Sequence, residues 1–207
     1  MRILVLSPHT DDAELGAGGS IIRLLEEGHE IYWIVFSSAE ESLPEGMAPD
    51  TLKAEFQDVI SELGIKDYKI FDFKVRYLFE QRQTILEEMI KLRDRFRPNL
   101  VITPSSYDHH QDHQVVNSES IRAFKNSSSI IGYELPWNHT QFVNPLLIRL
   151  EERHIAKKWE ILNKYKSQIT LKKQYFNKEF IYGVASIRGS QCSRKYAESF
   201  QVIRWIM

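Results

Sequence analysis

Two short stretches concentrate the candidate chemistry of this chain: Pro8-His9-Thr10-Asp11-Asp12-Ala13-Glu14 and Asp108-His109-His110-Gln111-Asp112-His113. His9 and Asp12 stand three residues apart. A tight turn at that spacing can aim a ring nitrogen and a carboxylate oxygen at one ion, a mixture that zinc accepts. Asp11, between them, cannot easily point the same way and is free to act on a water as a general base. The second stretch holds three of the seven histidines of the chain, and imidazoles clustered with carboxylates mark metal or catalytic sites. His110 and His113 fall on adjacent parts of one face if a helix starts there. One of them can bind an ion while the other faces a substrate. Asp112 can orient a neighbouring imidazole, and His109 reads as exposed. The competing reading of the first stretch is a helix start, with Thr10 or Asp11 as the cap and Glu14 completing a capping box.

The elements that must position these residues follow an alternating pattern. Each stretch comes directly after an apolar run: residues 2–7 before the first, residues 100–103 before the second. Further strands are expected over residues 30–37, 69–73 and 130–134, with helices over about 15–27, 50–64, 78–96 and 113–124. Beyond Pro145 the pattern is mainly helical, with a last β-like run near 200–206. Strands alternating with helices predict an α/β fold, a mostly parallel sheet covered on both faces. In such sheets ligands sit beyond the carboxyl ends of the strands where the strand order reverses. With an order of about 3-2-1-4-5, that crevice lies between strands one and four, and the two histidine stretches leave those two strands. Gly16-Ala17-Gly18-Gly19 lacks the Gly-x-Gly-x-x-Gly spacing of a dinucleotide site. Its small residues suit a helix pressed against a sheet, or backbone that a substrate approaches.

The bulk numbers narrow the class. The chain has 207 residues and a formal net charge of -1, which fits one domain and offers no global field for nucleic acid. The expected organisation is a single domain over 1–207: an α/β body (1–135) and a helical C-terminal extension (136–207) packed on it. Cys192 is the only cysteine, so an internal disulfide and a four-thiolate zinc site are both excluded. The apolar start is too short for a signal-peptide core, and no run approaches the ~18 apolar residues of a membrane span. A cytoplasmic location is the expectation; the oligomeric state, a homo-oligomer included, is left open. Between Arg149 and Lys195 twelve Lys/Arg face four Glu. That excess reads as a solvated helical face or as an attraction for phosphates or an anionic surface.

Pro8-His9-Thr10-Asp11-Asp12-Ala13-Glu14-Leu15-Gly16, with Gly18-Gly19, resembles the opening motif of the LmbE-like or PIG-L N-acetylglucosaminyl deacetylases, and His110-Gln111-Asp112-His113 resembles their second motif. Tyr133-Glu134, Lys166-Ser167-Gln168, Arg188-Gly189 and Ala197-Glu198-Ser199-Phe200 resemble later landmarks, so the likeness spans nearly the whole chain. The resemblance implies a Rossmann-like three-layer sandwich, one Zn2+ per chain with His9, Asp12 and His113 as ligands, Asp11 as general base, and His110 stabilising an oxyanion or assisting as acid. It implies a small-molecule substrate, an N-acetylated amino sugar or a conjugate of one. Thr10 stands where the family usually has proline, and Lys53 near where it often has arginine. Lys53, Arg76, Arg188 and Glu198 are candidate substrate contacts, each equally readable as a surface ion pair or a cap. Trp137 and His139 fall in a loop that could wall the pocket. Two rival classes remain: a Mg2+-dependent phosphoryl-transfer or receiver-type protein using Asp11 and Asp12, which would leave the second cluster idle, and a non-catalytic sugar-binding member of the fold.

Overall fold

A computed structural model describes residues 1–207. Its centre is a seven-stranded sheet of order β3-β2-β1-β4-β5-β7-β6, formed by β1 (Arg2–Ser7), β2 (Glu30–Val35), β3 (Asp67–Ile70), β4 (Leu100–Pro104), β5 (Ser129–Tyr133), β6 (Leu146–Leu150) and β7 (Tyr196–Arg204). Strands β1 to β5 run parallel, and β7 runs antiparallel between β5 and β6. The helices are α1 (Asp12–Glu26), α2 (Thr51–Leu63), α3 (Arg82–Phe96), α4 (Gln111–Phe124), α5 (Glu152–Leu162), α6 (Lys166–Thr170) and α7 (Lys178–Ser190).

The three layers follow from the period-two pattern of buried strands. In β1, Ile3 and Val5 face a core shared with α1, α2, α5 and α7. Leu4 and Leu6 face the other core, built with α3 and α4. The expected order 3-2-1-4-5 is present, and the C-terminal residues extend it by two strands.

Three elements depart most from the sequence expectation. The third strand covers Asp67–Ile70; Phe71 and Phe73 leave the sheet and stack on each other over Phe36. Residues 78–81 form a separate 3-10 turn before α3. β6, Leu-Leu-Ile-Arg-Leu, sits where a helical region was expected. A five-residue run with four apolar residues and Arg149 is too short to show a period of its own, and only pairing with β7 fixes its state. Asp50 and Gly64 do flank α2. Asp50 makes no capping bond through its side chain, whereas Gly64 takes the left-handed conformation (φ +66°) that ends the helix.

Candidate metal centre

β1 and β4 are hydrogen-bonded neighbours whose outgoing chains part on opposite sides of the sheet, so the crevice between them opens at their carboxyl ends. The Pro8–Asp11 turn leads from β1 into α1, and residues 105–110 lead from β4 into α4. Their ends bring three donor atoms together. His9 Nδ1 lies 3.0 Å from Asp12 Oδ2, His113 Nε2 lies 3.2 Å from the same oxygen, and the two ring nitrogens are 3.4 Å apart. With bonds of about 2.0–2.1 Å, two donors on one tetrahedral zinc stand about 3.3 Å apart. The triangle has the size of a face of that tetrahedron.

The outer nitrogens explain why the inner ones point inward. His9 Nε2 lies 3.0 Å from Asp112 Oδ2, and His113 Nδ1 lies 2.7 Å from Asp108 Oδ2. An imidazole that donates outward to a carboxylate presents its other nitrogen as a lone pair, the usual support for a metal-binding histidine. Asp108 receives a further hydrogen bond from Asn138 Nδ2, 3.2 Å away. Burial disfavours charge on His9 and His113, but Asp12 and the outer carboxylates outweigh it, raising His9 to about 9 and His113 to about 10. The same two imidazoles hold Asp12 well below the usual carboxylate range despite its burial. A metal ion at this set would displace the protons of both imidazoles.

His110 belongs to the group in a different way. His9, His110 and His113 each offer a ring nitrogen within 4.8 Å of the others. His110 is the N-cap of α4, and its Nδ1 accepts from the Asp112 backbone N–H at 3.2 Å. Burial, with His113 and His9 nearby, lowers its pKa to about 4. The ring is therefore neutral near pH 7, with its proton on Nε2. Asp11 is half-buried at the pocket and makes no side-chain hydrogen bond in the cap position of α1. Burial and Asp12 raise its pKa to about 6, against the opposing pull of Lys173 and His9. Glu14 turns away to Tyr165. The helix-cap arrangement of the first stretch is thus not the one adopted.

The surrounding pocket has a volume of about 220 Å³ and is lined by Asp11, His110, Arg76, Trp137, Gln168, Lys173 and Tyr175, among others. Trp137 stacks on Tyr175, with ring centroids 3.8 Å apart. Of the four candidate substrate contacts, Arg76 lines this pocket and the other three do not. Lys53 lies beside Asp72, 3.9 Å away. Arg188 pairs with Glu134, through Nε at 2.9 Å and through Nη2. Glu198 accepts from Lys158 and from two amides of α1. His109 is exposed, and His139 stacks on Phe142 outside the pocket lining. Sequence reasoning did not single out Asp108, Asn138, Lys173 or Tyr175 for this site. Asp108 was visible inside the second cluster, but nothing in the order of residues says which imidazole it serves.

An open α/β sheet with an imidazole–carboxylate cluster at its topological switch point defines a class of Rossmann-like proteins with a candidate metal centre. Within that class the chain belongs to the PIG-L family: the family model described as GlcNAc-PI de-N-acetylase matches residues 4–124. It is 27% identical over 170 residues to an uncharacterized deacetylase, YaiS, of Escherichia coli K12, covering 80% of this chain and 90% of that protein. It is 25% identical over 122 residues to diacetylchitobiose deacetylase of Thermococcus kodakarensis, covering 55% of this chain and 45% of that one. Among solved structures, N,N'-diacetylchitobiose deacetylase of Pyrococcus horikoshii superposes with a TM-score of 0.81 at 18% identity, over 98% of this chain and 83% of that one. GalB, the 4-carboxy-2-hydroxymuconate hydratase of Pseudomonas putida KT2440, superposes with a TM-score of 0.83 at 19% identity, over 100% of this chain and 97% of that one. The shared fold therefore carries more than one reaction, and the reaction must be argued from the site. No helix is long and apolar enough to cross a membrane.

Proposed function

We propose that this chain is a zinc-dependent hydrolase that removes the N-acetyl group from an amino sugar or amino-sugar conjugate and releases acetate. The observation that carries the reading is the donor triangle of His9 Nδ1, Asp12 Oδ2 and His113 Nε2, with sides of 3.0, 3.2 and 3.4 Å. These three residues would hold the ion, with Asp112 and Asp108 fixing the two rings. Zinc in such a site acidifies water toward a pKa of ~7 and polarises an acyl oxygen.

The remaining steps belong to the side chains. Asp11, beside the triangle with a free carboxylate, takes the proton of the attacking water. His110, neutral with its proton on Nε2, donates a hydrogen bond to the oxyanion that forms as the carbonyl carbon becomes tetrahedral. Asp11 then returns its proton to the amide nitrogen, the C–N bond breaks, and acetate and a free amine leave. Arg76 contacts the substrate at the pocket rim. Arg188, Glu198 and Lys53 stand too deep in their own pairs or too far out to share that role. Substrates of the type named for the relatives, an N-acetylated chitobiose or an N-acetylglucosaminyl malate, fit this chemistry. With one half-buried cysteine and no disulfide, the cytoplasm is the proposed compartment.

The test is acetate release from N-acetylglucosamine derivatives by protein loaded with one zinc per chain. Asp11→Asn is expected to keep the zinc and lose turnover by ~10²–10⁴-fold. Magnesium-dependent phosphoryl transfer, a water-addition product without acetate, or sugar binding without turnover would each replace this reading.

A further inference from the structure

One residue outside the donor triangle is tied to it from a strand that supplies no candidate ligand. Asn138 closes the short Pro136–Asn138 turn that follows β5. Its backbone carbonyl accepts the His109 N–H at 3.0 Å, and its Nδ2 donates to Asp108 Oδ2 at 3.2 Å. Both bonds cross to the loop between β4 and α4. Asp108 is buried, and its two oxygens are held from different sides. Oδ1 accepts the His110 N–H at 2.8 Å, from its own loop. Oδ2 meets His113 Nδ1 at 2.7 Å, and its other donor is Asn138. The oxygen that aims His113 is thus fixed from the β5 side by a single side-chain amide.

The turn that carries Asn138 is itself held by an aromatic stack. The half-buried Trp137 lies with its ring centroid 3.8 Å from that of Tyr175, at 7° to it, and Phe180 closes on it at 5.8 Å. Tyr175 and Phe180 flank the start of α7, in the C-terminal extension. Tyr175, Trp137, Asn138, Asp108 and His113 therefore form one contiguous run of contacts and bonds, from the extension to an imidazole of the triangle.

We infer that Asn138 is a positioning residue for the metal centre: its amide holds Asp108 so that His113 Nε2 faces the ion, and the Trp137–Tyr175 stack holds Asn138. The inference rests on the reading of His113 as a ligand. It adds that the C-terminal extension, which supplies no ligand, helps to retain the ion. A carboxylate behind an imidazole sets the orientation and basicity of that ring, and the amide acts one hydrogen bond further out. Packing alone would require the volume of the side chain at 138; this role requires its N–H.

The experiment measures the zinc affinity of the full chain, without substrate, by competition with a chelating dye. Asn138→Leu nearly keeps the volume and removes the donor, whereas Asn138→Gln keeps an amide. Asn138→Leu is expected to weaken zinc binding by about 10-fold, the lower end of the effect of outer partners, and Asn138→Gln to recover part of that loss. Trp137→Ala is expected to weaken binding by about 3-fold or more. The double variant Trp137→Ala/Asn138→Leu should bind no more weakly than Asn138→Leu alone, because both changes act through one bond. Unchanged or tighter binding in Asn138→Leu overturns the inference, as do equal losses in Asn138→Leu and Asn138→Gln. Additive losses in the double variant overturn the part assigned to the stack. If Asn138→Leu does not fold, Asn138→Ala removes the same donor and carries the same expectation. A natural-sequence chain that binds no zinc is a failure of the metal reading itself. The hold on His113 is then read in the metal-free protein by nitrogen-15 NMR: faster solvent exchange of the His113 Nδ1–H in the Asn138 variant supports the inference, and an unchanged rate overturns it.

Discussion

At the scale of single residues, the site depends on which carboxylate serves which ring. Spacing and strand order made it legible that His9 and Asp12 could converge with an imidazole of the second stretch, and the family resemblance pointed to His113. The outer contacts of His110 and His113 differ. His113 donates to Asp108, so its inner nitrogen faces the centre. His110 spends Nδ1 on a helix amide, so it can reach a substrate only as an Nε2–H donor. Asp112 is expected to orient a neighbouring imidazole, and the imidazole it meets is that of His9, 103 positions away in sequence. Such a pairing is set by the sheet and leaves no local trace. Removing an outer carboxylate lets the ring turn and lowers its basicity, which typically costs about 10–100-fold in metal affinity. Asp108→Ala is therefore expected to weaken zinc binding by about that factor, read by competition with a chelating dye. Unchanged affinity would falsify the assignment of His113 as a ligand.

At the scale of elements, α1 must lie close to the sheet while carrying a buried acid. Tyr165 Oη is 2.5 Å from the Thr10 carbonyl oxygen and 2.6 Å from Glu14 Oε1. The carbonyl only accepts, and the phenol has one proton to give. Glu14 must then be the neutral acid, donating to Tyr165 Oη while the phenol donates to Thr10. Burial pushes the Glu14 carboxyl well above its usual range, in agreement with this geometry. Because the folded-state pKa is the raised one, the stabilising contribution is complete below about 4.3, the unfolded value. It fades as pH rises through the folded value. Glu14→Gln keeps a donor to Tyr165 and carries no charge. It should flatten the fall in stability between acid and neutral pH in denaturant titrations, and an unchanged slope would show that Glu14 is ionised. Gly16 makes the close approach of α1 possible: a Cβ there would run into the Tyr133 ring and come within 3.1 Å of the Glu134 carbonyl oxygen. Alanine gains about 1 kcal/mol of helix propensity, yet overpacking against a rigid buried ring costs about 1–3 kcal/mol. Gly16→Ala is expected to lower Tm, and a rise would mean that the helix can move. The glycine run was legible as a sign of close packing, but Tyr133 as the obstacle was not, since it arrives from a strand more than a hundred residues on.

At the scale of the whole molecule, part of the uneven charge of the chain goes into docking. Among the basic residues between Arg149 and Lys195, Arg153 reaches Glu26, Lys157 and Lys164 reach Glu62, and Arg188 reaches Glu134. Each of these pairs ties the C-terminal extension to an acidic group of the α/β body. Together with β7 and β6, which complete the same sheet, they support the proposal that 1–207 is one cooperative unit. The pairs differ in what they contribute. Lys157 and Glu62 are near the surface, where an ion pair is worth about 0–1 kcal/mol. Lys158 and Glu198 are almost wholly buried, 2.7 Å apart, with Glu198 also accepting from the Gly19 and Ser20 amides and Lys158 donating to the Leu15 carbonyl. Removing one partner of such a pair strands the other charge away from water and costs about 3–5 kcal/mol. Glu198→Ala should therefore lower stability severalfold more than Lys157→Ala, with a single unfolding transition by both near-UV and far-UV circular dichroism. If Glu198→Ala instead split the transition in two, the extension would be a separately folding layer, and the walls that Trp137, Lys173 and Tyr175 give the pocket would rest on a dockable segment rather than on the core.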